Sequence, residues 1–132
     1  LEKMISFSRR IKETDVVFSA LSYSEVKLEK SLQPFFYLDP PYSLTNGSYN
    51  DGKRGFDGWS KALEKEMFSF LDGLHLKKVK FMLSYVIQHK GCVNEELLHW
   101  AEKNNYKIVE LGDVLGISGS RRKEVLIVNY EK

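Results

Sequence analysis

Apolar positions follow two rhythms along the chain. Over the first dozen residues Met4, Ile5, Phe7 and Ile11 alternate with Arg9, Arg10 and Lys12, which predicts a short amphipathic helix. "DVVFSAL" then predicts a strand, and "SYSEVKLEKSL" a turn with a short helix. "PFFYL" is a short apolar run of buried-strand type, with Phe35 and Phe36 assigned to the core. From Ser43 to Gly58 the chain is rich in Gly, Asn, Ser and Asp and predicts a long loop. Loops of that length in a compact domain are usually functional or disordered.

Helical spacing returns in "GWSKALEKEMFSFLDGL", where Trp59, Leu63, Met67, Phe70 and Leu71 share a face and Gly73 offers a C-cap. "VKFMLSYV" is a strand. "NEELLHWAEKNN" begins with an asparagine cap and carries Leu97, Leu98 and Ala101 on its apolar face. "YKIVEL" and "KEVLIVNY" are further strands, separated by a Gly/Ser/Arg loop that implies an antiparallel closing hairpin. The order predicts one α/β unit: a mostly parallel sheet with an antiparallel C-terminal edge and helices on its faces.

Composition narrows this reading without redirecting it. The 132 residues suit one domain, and 42% hydrophobic with 29% charged residues is the balance of a globular protein. No run approaches the ~18 consecutive apolar residues of a spanning helix. No signal peptide is visible, and the single Cys92 cannot form an internal disulfide, which together imply a cytoplasmic address and no membrane. A net charge of +2 means that any nucleic-acid surface must be local. His75, His89 and His99 lack metal-ligand spacing, so no metal is expected.

The chemistry concentrates in "FFYLDPPYSL". In an α/β sheet the ligand crevice lies outside the carboxyl ends of the strands, where Asp39 falls. Each proline holds φ near −65° and extends the residue before it, so Asp39 and Pro40 have little freedom. Pro40 and Pro41 offer no N–H. The corner therefore presents a carboxyl group and carbonyl oxygens, all acceptors, to a substrate that must bring donors, such as an amino group. Tyr42 adds a flat ring able to stack on a planar heterocycle. Read alone, Asp-Pro-Pro also fits a simple turn.

"YLDPPY", after an apolar strand and before a Gly/Asn-rich loop and a helix, resembles the fourth motif of adenine-N6 DNA methyltransferases of the Dam type. The order that follows is also similar: Phe56 before "DGWSKALEKEMFSFL", a strand ending "FMLSY", and a basic loop running into "GISGSRRKEVLIVNY". "VVFSALSYSEV" stands where that family has its third motif. The resemblance implies a partial Rossmann-like methyltransferase sheet, S-adenosylmethionine as cofactor and double-stranded DNA as partner. It implies catalytic roles for Asp39, Pro40, Pro41 and Tyr42, and cofactor contacts from Asp39, Ser22 and Tyr23. It further implies that the base is flipped from the duplex and that Tyr42 stacks on it.

Some residues keep two readings. Tyr49 and Phe56 either cover the flipped base or cofactor, or pack back on their own helix. Arg121, Arg122 and Lys123 either hold DNA phosphates or form a solvated face of a hairpin loop. Trp59 and Trp100 are assigned to helix packing.

The chain departs from the family at its front. "FSRRIKE" has no glycine-rich cofactor motif, and the first glycine is Gly47. Residues 1–132 are accordingly expected to be the C-terminal part of a methyltransferase catalytic domain, inactive alone, whose N-terminal portion is a partner and whose uncovered sheet invites self-association. The alternatives are an inert methyltransferase-like nucleic-acid-binding module, or an N-methyltransferase acting on RNA or protein amines.

Overall fold

The computed structural model describes residues 2–27, 33–45, 59–115 and 121–131. Helix α1 spans Glu2–Glu13, α2 Lys61–Leu76 and α3 Glu95–Lys103. The strands are β1 Phe35–Leu38, β2 Lys80–His89, β3 Cys92–Val93, β4 Lys107–Leu115 and β5 Arg121–Val128. Short 3₁₀ turns stand at Tyr23–Glu25 and Ser43–Thr45.

The sheet is mixed, in the order β1-β2-β5-β4. It is parallel at the β1 end, where Phe36 pairs with Phe81 and Leu38 with Leu83, and antiparallel where β5 lies between β2 and β4. The expected α/β class and closing hairpin are thus both present, while the parallel part of the sheet is, among the described strands, the β1–β2 pair. After β2 a two-residue turn, Lys90 (φ 49°) and Gly91 (φ 80°), sends the chain back as β3. Both central residues with φ > 0 is the requirement of a type I′ hairpin. Gly112 (φ 90°) sits at the irregularity between Glu110 and Gly112 in the β4–β5 ladder, where a glycine absorbs the kink of a bulge.

One face of the sheet carries the core. Phe81, Leu83 and Tyr85 of β2 and Val125 and Ile127 of β5 are fully buried, against Met67 and Leu71 of α2 and Leu97 and Ala101 of α3. Trp100 stacks on Phe68 at 4.4 Å and meets Tyr106 edge-on at 5.1 Å, in agreement with its assignment to packing. Asp72 of α2 accepts from Trp100 Nε1 (3.0 Å) and the Tyr106 hydroxyl (2.9 Å), joining α2, α3 and the start of β4. After β5, Asn129 accepts from the Phe81 N–H and donates to the Val79 carbonyl, so the "NY" that closes the family-like strand serves to bracket β2.

Three local expectations change. Residues 15–21 are exposed and outside any regular element. Their composition favours extension, but extended backbone becomes a strand only where a neighbour takes its N–H and C=O groups, and no pairing among the described residues includes them. Helix α1 forms as its spacing predicts, yet none of its residues is buried. Among the described strands β1 stands at one end of the sheet; Phe36 and Leu38 face the core, while Phe35 and Tyr37, on the other side of the pleat, are 52% and 59% exposed. Phe35 instead meets Tyr130 edge-on at 5.9 Å. Gly73 is not a cap, because α2 continues to Leu76 and buries Leu74 against the core.

Candidate functional site

Asp39 follows directly on Leu38, at the carboxyl end of β1, where β2 runs on beyond its parallel partner. Its side chain is exposed, and it accepts a hydrogen bond on Oδ1 from the Tyr42 hydroxyl at 2.8 Å. The two prolines between them lock φ and bring no N–H to satisfy, so the segment that joins Asp39 to Tyr42 has little freedom. A carboxyl group has about four acceptor directions, so the bond to Tyr42 leaves capacity for a further donor.

The Tyr42 ring lies edge-on to Tyr85, with centroids 5.4 Å apart and planes at 77°. The Arg122 guanidinium stands 5.6 Å from the ring centroid, within cation–π range. Burial, reinforced by the hydrogen bond to Asp39, pushes the Tyr42 phenol up to about 12, against a smaller opposing effect of Ser84. Tyr42 therefore stays protonated and donates to Asp39 throughout the neutral range.

Beneath the corner lies a buried polar cluster. Glu64 of α2 is only 2% exposed, and its Oε1 accepts from the hydroxyls of Tyr85 (2.5 Å) and Ser43 (3.0 Å) and from Asn94 Nδ2 (3.0 Å). The Tyr85 hydroxyl accepts in turn from Trp59 Nε1 (2.9 Å) and from the Ser43 N–H (3.4 Å). Burial first, then the hydrogen bond to Glu64, raises the Tyr85 phenol well above its ordinary range. Asn94 is the expected cap of α3, its Oδ1 accepting from Leu97 N at 3.0 Å, and its amide end also reaches Glu64. Trp59 is buried beside this cluster, ahead of α2.

Of the sequence-predicted site residues, Asp39, Pro40, Pro41, Tyr42 and Arg122 come together. Arg121, Arg122 and Lys123 are the first residues of β5, not a hairpin loop, since they pair with Leu115, Val114 and Asp113 of β4. Strand alternation then separates them. Arg122 lies over the Tyr42 ring and forms an ion pair with Glu124 at 2.6 Å, while Arg121 and Lys123, on either side of it along the strand, are exposed. With Lys90, Asp113 and Arg122 they line an open cleft of about 410 Å³.

Ser22 and Tyr23 sit elsewhere. Ser22 caps the first 3₁₀ turn, its N–H donating to Glu25 Oε2 at 2.8 Å. The Tyr23 ring packs on Phe70 at 5.0 Å, and Phe70 in turn on Phe36 of β1 at 5.8 Å, which brings Tyr23 alongside the strand that leads into Asp39. Tyr49 and Phe56 lie outside the described residues.

Sequence reasoning missed Glu64, Tyr85, Ser43 and Ser84. For Glu64 a signal existed: it falls at i relative to Met67 (i+3), Phe68 (i+4) and Leu71 (i+7), within the apolar stripe rather than opposite it. An acid in that stripe must find donors when buried. For Tyr85 and Ser43 no local pattern could have indicated that they meet.

A model of the family described as D12 class N6 adenine-specific DNA methyltransferase matches residues 1–116. Among curated proteins the chain is 37% identical over 134 residues to the modification methylase StsI of Streptococcus sanguinis, covering 97% of this chain and 20% of that protein. It is 40% identical over 113 residues to the modification methylase LlaI of Lactococcus lactis subsp. lactis, covering 86% and 17%. It is 37% identical over 133 residues to the type II methyltransferase M.FokI of Planomicrobium okeanokoites, covering 98% and 21%. The chain thus spans about a fifth of the length of these relatives.

Proposed function

Since the chain belongs to the D12 class of N6 adenine-specific DNA methyltransferases, we propose that its Asp39–Tyr42 corner takes the N6 amine of a flipped-out adenine in DNA and presents it for methylation. The observation that carries the reading is the corner itself: an exposed carboxyl group at the carboxyl end of a parallel strand, held from one side by Tyr42 and followed by two prolines that offer no N–H.

When bound, S-adenosylmethionine supplies an electrophilic methyl group on a sulfonium that leaves as a neutral thioether. The acceptor-only chemistry of the corner fits both the amine and the cationic end of such a donor. The remaining work belongs to the chain. The adenine amine is a poor nucleophile because its lone pair is delocalised into the ring. Acceptance of its two N–H hydrogens by the Asp39 carboxyl group and the Pro40 carbonyl favours a pyramidal nitrogen with a localised lone pair, aimed by position rather than by a covalent intermediate. The Tyr42 ring stacks on the base.

Arg121 and Lys123, together with Lys90 across the cleft, hold phosphates of the DNA backbone, whereas Arg122 is committed to Tyr42 and Glu124. Ser22, Tyr23, Tyr49 and Phe56 keep the cofactor-side and base-covering roles that the resemblance implies. This segment forms the C-terminal part of the catalytic domain, with the glycine-rich part of the cofactor pocket upstream of it.

The test is transfer of tritiated methyl from S-adenosylmethionine into unmethylated duplex DNA by the enzyme that carries this segment. Asp39→Ala is expected to abolish transfer while calorimetry finds cofactor binding largely retained. Continued turnover in that variant would remove the proposal.

A further inference from the structure

We propose that Glu64 is the positioning residue of the Asp39–Tyr42 corner, holding it through the Ser43 hydroxyl directly and through the Tyr85 hydroxyl indirectly. The assignment of a catalytic purpose to the corner rests on the function proposed above; the positioning itself rests on geometry.

A carboxyl group inside an apolar stripe is costly unless donors reach it, and replacing buried polar groups by well-packed apolar ones is often neutral or stabilising. Stability alone therefore gives no reason for an acid at this point of α2. What the acid does provide is convergence. Its Oε1 gathers donors from three separate pieces of chain: Ser43 just beyond the corner, Tyr85 in β2 and Asn94 at the head of α3. Each donor is itself fixed from a second direction. The Tyr85 hydroxyl accepts from Trp59 and from the Ser43 N–H, Asn94 caps α3, and the Asn94 N–H donates to the Ile87 carbonyl at 2.9 Å. Ser43 is thus tied twice, by its hydroxyl to Glu64 and by its N–H to Tyr85. The Tyr85 ring then sets the Tyr42 ring edge-on, and the Tyr42 hydroxyl sets Asp39. The chain of contacts runs from a fully enclosed helix position to the exposed carboxyl without a gap.

The experiment is amide hydrogen exchange, followed residue by residue by NMR on this chain without cofactor or DNA, so that it does not depend on any transfer activity. Ser43→Ala cuts the direct tie. Glu64→Gln keeps one oxygen for the three donors but replaces the other carboxyl oxygen by an amide nitrogen that can only donate. In both variants the Ser43 amide is expected to exchange about tenfold faster than in the wild type, with a markedly smaller change at Leu83 and Ile127 in the β2–β5 ladder. A carboxyl group that only supports the core would instead move all three amides together, or leave Ser43 unaltered, and either result overturns the proposal. If Glu64→Gln does not fold, Tyr85→Phe takes its place in the same comparison, since it removes the acceptor of the Ser43 N–H. Loss of methyl transfer in the larger enzyme with unchanged exchange here would refute the positioning role while leaving the proposed function standing.

Discussion

Tyr42 has two separable tasks, one for its ring and one for its hydroxyl. The ring lies against Tyr85 and under Arg122, and in the proposed reaction it stacks on the base; the hydroxyl holds Asp39 at 2.8 Å. From the sequence only the ring could be assigned, because nothing local says that a tyrosine folds back onto the acid at the head of its own motif. Substitution separates the tasks. Tyr42→Ala is expected to weaken binding of DNA bearing a looped-out adenine by roughly 1–3 kcal/mol, the range for base–aromatic stacking. Tyr42→Phe keeps the stacking surface, so its binding should stay near that of the wild type in the same fluorescence titration. Its cost falls on the folded corner, where loss of a solvent-accessible hydrogen bond is worth about 1 kcal/mol or less by urea unfolding. A binding loss in Tyr42→Phe as large as that in Tyr42→Ala would mean that the hydroxyl, not the ring, meets the DNA.

Elements were legible in proportion to how local their causes are. Helices α2 and α3 follow from apolar spacing, and α3 also from its expected cap Asn94; α3 forms within a residue or two of expectation, whereas α2 runs past Gly73 to Leu76. Residues 15–21 have strand composition without a pairing partner, and Gly73 has cap chemistry in a helix that tertiary packing extends. Both differences arise from contacts distant in sequence. The N-caps of α2 and α3, Ser60 and Asn94, differ in what they hold. Ser60 makes one exposed bond, to Leu63 N at 3.2 Å, so Ser60→Ala should cost ~1 kcal/mol. Asn94 is buried, and it both caps α3 and donates to Glu64. Asn94→Ala removes a cap and a donor together, and should cost roughly 2–4 kcal/mol, the sum of a lost cap and a buried group left short of a partner. Urea unfolding of the two variants side by side checks this; equal costs would mean that the Asn94 amide contributes nothing at Glu64.

At the scale of the whole molecule, the corner stands where the sheet changes from parallel to antiparallel. β2 continues past the end of β1, so one of its edges receives the loop carrying Tyr42 while the other pairs with β5, which sends Arg122 across to the same ring. Sequence order could place Asp39 at a strand end but not Arg122 beside Tyr42, because that requires β5 to lie between β2 and β4 rather than outside them. The same packing leaves a signature spread over the fold. Burial, aided in each case by a carboxyl acceptor, raises the phenols of Tyr42, Tyr85 and Tyr106, which lie at the corner, in the core and at the start of β4. For Tyr42 the folded value is about 12 against an ordinary 10.0. Below the ordinary value both folded and unfolded chains hold the proton, and the full stabilisation is present. Between the two values the unfolded chain releases a proton that the folded chain retains, so stability falls as pH rises through that window. Urea midpoints measured from about pH 8 to about pH 11.5 should therefore decline once the ordinary tyrosine range near 10 is reached. The decline should be shallower in Tyr42→Phe and shallower again when Tyr106→Phe is added, because each substitution removes one proton from the difference between the states. If Tyr42→Phe left the alkaline slope unchanged, the bond between Tyr42 and Asp39 would not be formed in solution, and the corner would need another means of holding its acid in place.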